Sequence, residues 1–356
     1  MAVLFGQQYS REQILAHVGD FSQVAGIRMM ELCDGLERGV RIADVRTGSG
    51  LRFQVSLDRG MDISAAEYKG VPLALRTPNG DVHPHRFEPG GIGWLRSFPG
   101  GLITGCGMTY LGSPCSDEGE ALGLHGRLST LPASSVCHST RWDGDECVMQ
   151  VYGEVREATP FKENLVLRRT IESRLGDSVI TLRDVIRNEG DARTPLMMLY
   201  HVNAGWPVVN EAARLLLRST CTEPRDADAA SGLASARKFS NPISGYREQV
   251  FYHTLAGDAD GFATSMIEDG RQELGLFVRY RQAELPRFIE WKMMGRGLYV
   301  VGMEPANCRL AGRAKERDAG TLEFLDPGEE RHFLVHIGVL EGANALRQFT
   351  ERNELQ

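Results

Sequence analysis

The chain has 356 residues, a formal net charge of −7 and 42% hydrophobic residues, enough apolar material for one large domain or two smaller ones. Its acidic balance, without any Lys/Arg block, argues against a nucleic-acid partner. No apolar run approaches the ~18 residues of a membrane helix.

In chain order, Met1–Gln7 has neither a basic stretch nor a long apolar one, so no secretory signal is expected. Ser10 to Gly19 predicts a short helix, with Ser10 as N-cap and Gln13 at the capping-box position. The period then changes to 2. A strand is expected near Gly39–Arg46, followed by a turn over Thr47–Gly50. Leu51, Phe53, Val55 and Leu57 alternate with polar residues, as in a half-buried antiparallel strand. Met61–Lys69 and Val71–Leu75 extend this meander. Gly- and Pro-rich loops follow at 76–101 and 112–123. Leu165 to Ile171 alternates again. A turn at Arg174–Ser178, a strand over Val179–Ile186 and a turn at Asn188–Asp191 come next. Thr194–Leu199 is an apolar run that leads into His201. Thr222 to Gly245 is a polar excursion. Gly320–Leu325 and His332–Leu340 predict strands around the turn Asp326–Glu329, and Asn344–Glu354 predicts a closing helix.

Strands dominate, at the spacing of roughly 8–12 residues typical of sandwiches. There is no βαβ alternation, and Gly48-Ser49-Gly50 is a hairpin rather than a dinucleotide fingerprint. The expectation is an all-β protein: a large antiparallel β-sandwich with a few short helices, formed by residues 1–356 as a single domain. Within it, 1–38 is a lead-in and 341–356 a terminal helix. The seven cysteines are odd in number, widely spaced and lack C-x-x-C. They read as reduced thiols in a cytoplasmic protein.

Three residues carry possible chemistry. His201 ends an apolar strand, with Asn203 two residues on and Gly205 and Trp206 beyond. Trp206 and Trp291 are candidates for the flat surface under a sugar ring. His125 lies between glycine-flanked neighbours, ahead of Arg127. Glu304 follows Leu298–Met303, an apolar run in which acids are rare unless paired or at an edge. A buried carboxylate there has a raised pKa and suits a base. Each also has a plainer reading: a strand-end histidine on a carbonyl, an exposed loop histidine, a strand-end ion pair. His83 and His85 have H-x-H spacing but nothing to complete a metal site, so they read as loop residues. His332 and His336 read as sheet residues. Cys106 and Cys115 lack a partner pattern, and no G-x-S-x-G elbow is present.

The segments Leu57–Ile63, Gly100–Met108, Leu124–Ser129, Leu199–Asn203, Glu290–Met293 and Gly302–Pro305 resemble, in order and spacing, the aldose 1-epimerase (galactose mutarotase-like) superfamily. The resemblance spans about residues 39–340. It implies a β-sandwich with its substrate cleft on one sheet. It implies that His201 protonates the ring oxygen, Glu304 removes the anomeric proton and His125 holds the ring-oxygen side. The hydroxyl-gripping Asn-Arg pair and downstream Asp of galactose-type members are not matched. Arg127 is the candidate to replace part of that grip, and Trp291 and Lys292 are candidates for the cleft wall. Asn203 and Arg59 complete the substrate-binding candidates.

Anomer interconversion moves one proton onto the ring oxygen and one off the C1 hydroxyl. It calls for an acid and a base on opposite sides of a site, each tuned towards neutrality. No cofactor or metal is expected. A carboxylate nearby is expected to keep His201 protonated. Two other readings stand beside this one. In the first, a phosphorylated or acidic sugar is read by Arg127, Arg59 or Lys292. The second is a sugar-binding or sensor protein without turnover. The partner is a small sugar, with no nucleic acid or membrane, and a homodimer is left open.

Overall fold

Alternation is the rule for most of the chain, and it builds two large antiparallel sheets. The computed structural model describes residues 1–271 and 273–356. Strands β1 (Gly26–Glu31), β2 (Arg41–Arg46), β3 (Leu51–Ser56), β4 (Asp62–Tyr68) and β5 (Ile103–Met108) come first. Then follow β6 (Ala133–Asp143), β7 (Glu146–Ala158), β8 (Asn164–Arg174), β9 (Val179–Asn188), β10 (Thr194–Gly205) and β11 (Arg214–Leu217). The last are β12 (Ser219–Pro224), β13 (Gln249–Leu255), β14 (Phe262–Asp269), β15 (Leu274–Arg281), β16 (Arg287–Gly295), β17 (Leu298–Ala306) and β18 (Glu330–Glu341).

One sheet runs β6-β7-β8-β9-β18-β15-β14-β11. The other runs β12-β13-β16-β17-β10-β5-β4-β3-β2-β1. The expected all-β sandwich with few short helices is what the chain forms. Its main core, with Val55, Leu167, Tyr200 and Val335 among its members, lies between the sheets. A second apolar cluster, including Trp94, Phe98, Leu199, Ile289 and Leu310, covers the outer face of the longer sheet. That sheet is therefore buried on both faces in its middle. This explains why β10 and β17 read as apolar runs rather than alternating ones.

Local signals mostly act where expected. Helix α1 (Arg11–His17) has a full capping box: the Gln13 N–H donates to Ser10 Oγ at 3.2 Å and the Ser10 N–H donates to Gln13 Oε1 at 2.8 Å. The excursion after Thr222 contains helix α2 (Ala227–Gly232), and the closing helix α4 spans Ala343–Arg352. A short helix, α3 (Arg313–Asp318), lies between β17 and β18. The strand expected over Gly320–Leu325 is shorter, Glu323–Leu325. The Thr321 and Leu322 N–H groups donate back to Glu316 O, so these residues close α3 instead.

A charged clamp crosses the core. Arg169 on β8 and Asp184 on β9 are both fully buried, with Nη2 to Oδ2 at 2.6 Å. Tyr200 on β10 donates its hydroxyl to the same Asp184 oxygen at 2.6 Å. Arg169 Nη1 donates to Gly60 O at 2.8 Å.

Candidate active site

Strand register alone brings His201 and Glu304 together. β10 and β17 pair with Leu199 opposite Ala306 and Val202 opposite Met303, which sets His201 opposite Glu304. Opposed side chains on antiparallel neighbours share a face, with Cβ atoms about 4.5–5.5 Å apart. His201 Nε2 lies 3.2 Å from Glu304 Oε1. The contact is close but not aligned as a hydrogen bond, since Glu304 Oε1 is buried without a hydrogen-bond partner. His201 Nδ1 and His125 Nδ1 are likewise buried and unpartnered. Buried polar atoms without partners are rare and call for an explanation.

The neighbouring strand adds the wall. Trp291 on β16 pairs with Gly302, on the same face as Glu304 and two residues away. A Cβ at Gly302 would stand 2.3 Å from Glu304 Oε1. Glycine there leaves the space that the carboxylate fills.

His125 comes from a loop. Its backbone is left-handed, with φ 59°. Its N–H donates to Gly112 O at 3.0 Å, and its carbonyl accepts from Gly107 N–H at 2.9 Å. A non-glycine residue keeps such a conformation only where its surroundings impose it, often at functional sites. The His125 ring centroid is 6.1 Å from that of His201 and 4.9 Å from Trp94. Phe98 stacks on Trp94 at 4.8 Å, and Phe98 and Trp291 stand 5.7 and 5.3 Å from His201. Together these residues line a cavity of about 720 Å³, within the roughly 300–1,000 Å³ usual for small-molecule sites.

The remaining candidates stand elsewhere. Arg127 donates to Glu157 at 3.1 Å and covers the Tyr110 ring at 4.9 Å, outside the cavity. Lys292 alternates with Trp291, so it points through the sheet, where its Nζ donates to Ser235 O at 2.8 Å. Asn203 is buried, and its Nδ2 donates to His201 O at 2.9 Å and Gly101 O at 3.1 Å. Arg59 is buried too, donating to Val82 O at 2.6 Å and Ser97 O at 2.7 Å. It ties down the loop that carries Trp94 and Phe98 without lining the cavity. Trp206 is 68% exposed and is not part of the cavity wall, whereas Trp291 is. His83 Nδ1 accepts from the His85 N–H at 3.3 Å, a local turn contact. Among the described residues there is no group of three metal-ligating side chains.

Sequence reasoning missed Trp94, Phe98 and an ion pair at the wall. Arg225 Nη2 donates to Glu248 Oε1 at 3.0 Å, and Trp291 Nε1 donates to Glu248 Oε2 at 2.8 Å. Arg225 lies near the start of the polar excursion and Glu248 just beyond its end. The signal available was a charged residue near each end.

Burial dominates the electrostatics. It pushes His201 down to about 3, helped by the neighbouring His125, and His125 down to about 4. It raises the Glu304 carboxyl well above the usual range, with Glu248 adding to the rise. The expectation that a carboxylate keeps His201 protonated is therefore reversed. Both groups lose more from dehydration than they gain from each other, which favours the neutral form of each. The two also stand side by side rather than on opposite sides of the site. This suits chemistry at one carbon that bears both oxygens.

The chain matches, over residues 37–339, the model of a family described as a domain of unknown function, DUF4432. It belongs to that family. No curated protein matches it. Its fold is shared with a protein of Klebsiella pneumoniae subsp. pneumoniae MGH 78578 described as a "putative aldose 1-epimerase". Identity there is 24% and TM-score 0.89, over 98% of this chain and 91% of that one. A galactose mutarotase-like protein of Clostridium acetobutylicum is 15% identical, with TM-score 0.62 over 90% of this chain and all of the other. A galactose 1-epimerase of Lactobacillus acidophilus NCFM is 13% identical, with TM-score 0.56 over 89% and 99%. The DUF4432 chain thus has the galactose mutarotase-like β-sandwich, with no helix among the described residues long and apolar enough to cross a membrane.

Proposed function

We propose that this protein is an aldose 1-epimerase-like isomerase that interconverts the α and β anomers of a free sugar. The reading is carried by His201 and Glu304, 3.2 Å apart on adjacent strands in a cavity walled by aromatic rings. His201 and Glu304 are the catalytic residues and His125 and Trp291 the binding ones. Seven unpaired thiols suit the cytoplasm. The acidic-sugar alternative loses its support, because Arg127, Arg59 and Lys292 do not line the cavity and Arg225 is already paired with Glu248.

The pair shares one mobile proton, which passes to His201 once the two groups, 3.2 Å apart, align on the bound sugar. In that form His201 gives it to the ring oxygen while Glu304 takes the C1 hydroxyl proton. The C1–O5 bond breaks and C1=O forms. After rotation about C1–C2 the steps reverse: Glu304 returns a proton to the former carbonyl oxygen and His201 recovers its own as C1–O5 closes. Acid and base thus exchange roles between opening and closing.

The test is anomer exchange by NMR on a panel of free aldoses. Exchange faster than the spontaneous rate supports the reading. Saturable binding with exchange at the spontaneous rate would identify a sugar-binding protein instead. The pH profile gives a second expectation. The one-proton state persists from about pH 3, where His201 first charges, up to the raised range of Glu304. Activity should therefore not fall as pH drops through 6.5, and should fall on the alkaline side as Glu304 loses its proton. An acid limb centred at the ordinary histidine value would contradict this assignment.

Gly302→Ala is expected to displace the Glu304 carboxylate, since the added Cβ overlaps Oε1. A shift of about 1 Å at a reacting group costs on the order of 100-fold. Exchange rates and the melting curve check this. Full activity in a folded variant would show that glycine there does not set the carboxylate's position.

A further inference from the structure

The cavity wall is poor in free polar groups, and this bears on which sugar fits it. Thr77, Asn79 and Ser113 spend their donors on the backbone carbonyls of Phe98 (2.6 Å), Leu95 (2.8 Å) and Leu310 (3.1 Å). Trp94 Nε1 donates to Ser129 at 3.0 Å and Trp291 Nε1 to Glu248 at 2.8 Å, so neither indole offers a donor. Beyond the histidines and Glu304, the polar groups left to a ligand are chiefly those of the Arg225–Glu248 pair, enough for one or two hydroxyls. The rest of the wall, including Leu124, Val250, Leu298 and Leu310, is apolar.

Geometry places one part of the sugar against that apolar surface. The ring oxygen must reach His201 and Glu304. The exocyclic C6 of a pyranose hangs on C5, two bonds from that oxygen. It therefore lies beside the pair, where the Trp291 and Phe98 rings stand 5.3 and 5.7 Å from His201 and Trp94 stacks behind Phe98. Two unpartnered nitrogens nearby, His125 Nδ1 and His201 Nδ1, are sealed from solvent. A methyl group at C6 packs against these rings. A hydroxymethyl group loses its water against these rings, whose indole donors are already taken, at the cost of an unmatched polar group.

We infer that the substrate is a free 6-deoxyaldose, an inference that rests on the anomerase reading above. The experiment uses matched sugars that differ only at C6: 6-deoxygalactose against galactose, 6-deoxyglucose against glucose and 6-deoxymannose against mannose, in both enantiomeric series. An anomerically equilibrated sugar undergoes no net reaction, so dissociation constants can be measured calorimetrically on the wild-type chain. NMR exchange on the same samples reports turnover. In the series that binds, the 6-deoxy sugar is expected to bind about 10–100-fold more tightly, the scale on which one hydroxyl is discriminated. Equal or tighter binding of the hydroxylated partner in that series overturns the inference, whatever the exchange rates. Tight 6-deoxy binding with exchange at the spontaneous rate leaves the ligand class standing and overturns the anomerase reading. Binding by no sugar of the panel overturns both.

Discussion

Glu304→Gln is expected to lower protein-accelerated anomer exchange by about 10²–10⁴-fold, the range of a single general acid–base group, while the chain stays folded. Glutamine keeps the shape and fills the gap left by Gly302, but it can neither take nor give the proton. The same variant should be more stable than the wild type at alkaline pH. Burial raises the Glu304 carboxyl well above its ordinary value. The folded chain therefore holds a proton that the unfolded chain releases, and stability is lost as pH climbs above about 4.5. The neutral amide escapes that loss. Thermal melts at pH 5 and pH 8 should show a gap between variant and wild type that widens with pH. His201→Asn should match the activity loss. Its stability effect has the opposite pH sense: wild-type His201 resists protonation, so it weakens the fold as pH falls below about 6.5. Near-full exchange rates in either folded variant would end the acid–base assignment.

Asp184→Ala is expected to cost about 3–5 kcal/mol of stability, the usual effect of stripping one partner from a buried ion pair. Arg169 is fully buried against Asp184, and the Tyr200 hydroxyl also donates to that carboxylate. The substitution takes from Arg169 its closest carboxylate, leaving Asp62 at 3.5 Å, and strands the Tyr200 phenol in the core. Urea denaturation measures the loss. Arg169→Met with Asp184→Leu removes both charges, and the double variant should recover most of the stability, because desolvation offsets much of what the pair contributes. A small cost for Asp184→Ala alone would mean that water reaches Arg169.

Much of the fold was legible because the sandwich obeys a period of 2. Leu51–Leu57 and Leu165–Ile171 have one face in the core, so their alternation is plain. Ala133–Asp143 was missed, since it is an edge strand with polar residues on both faces, Ser139 and Arg141 on one and His138 and Thr140 on the other. In the site, His201 and Glu304 stood out because a polar group inside a doubly buried strand needs a reason. Arg127 and Lys292 misled because charge near a motif says nothing about direction. One residue of alternation sends Lys292 through the sheet from Trp291. Asn203 shares a face with His201, yet the Gly100–Gly101 carbonyls take its amide. Trp94, Phe98, Arg225 and Glu248 come from loops, whose paths no periodicity encodes.

The division of labour between strands and loops has a consequence for how this site changes over time. His201 and Glu304 are locked by a ladder register that cannot slip by one residue without turning the strand inside out. Trp94, Phe98, Arg225 and Glu248 belong to connecting segments that tolerate replacement. On the proposed reading, reaction and substrate choice are thus carried by separate parts of the chain. A chimera that takes residues 77–98 from another member of the fold should change which sugar is accepted and keep the same pH profile.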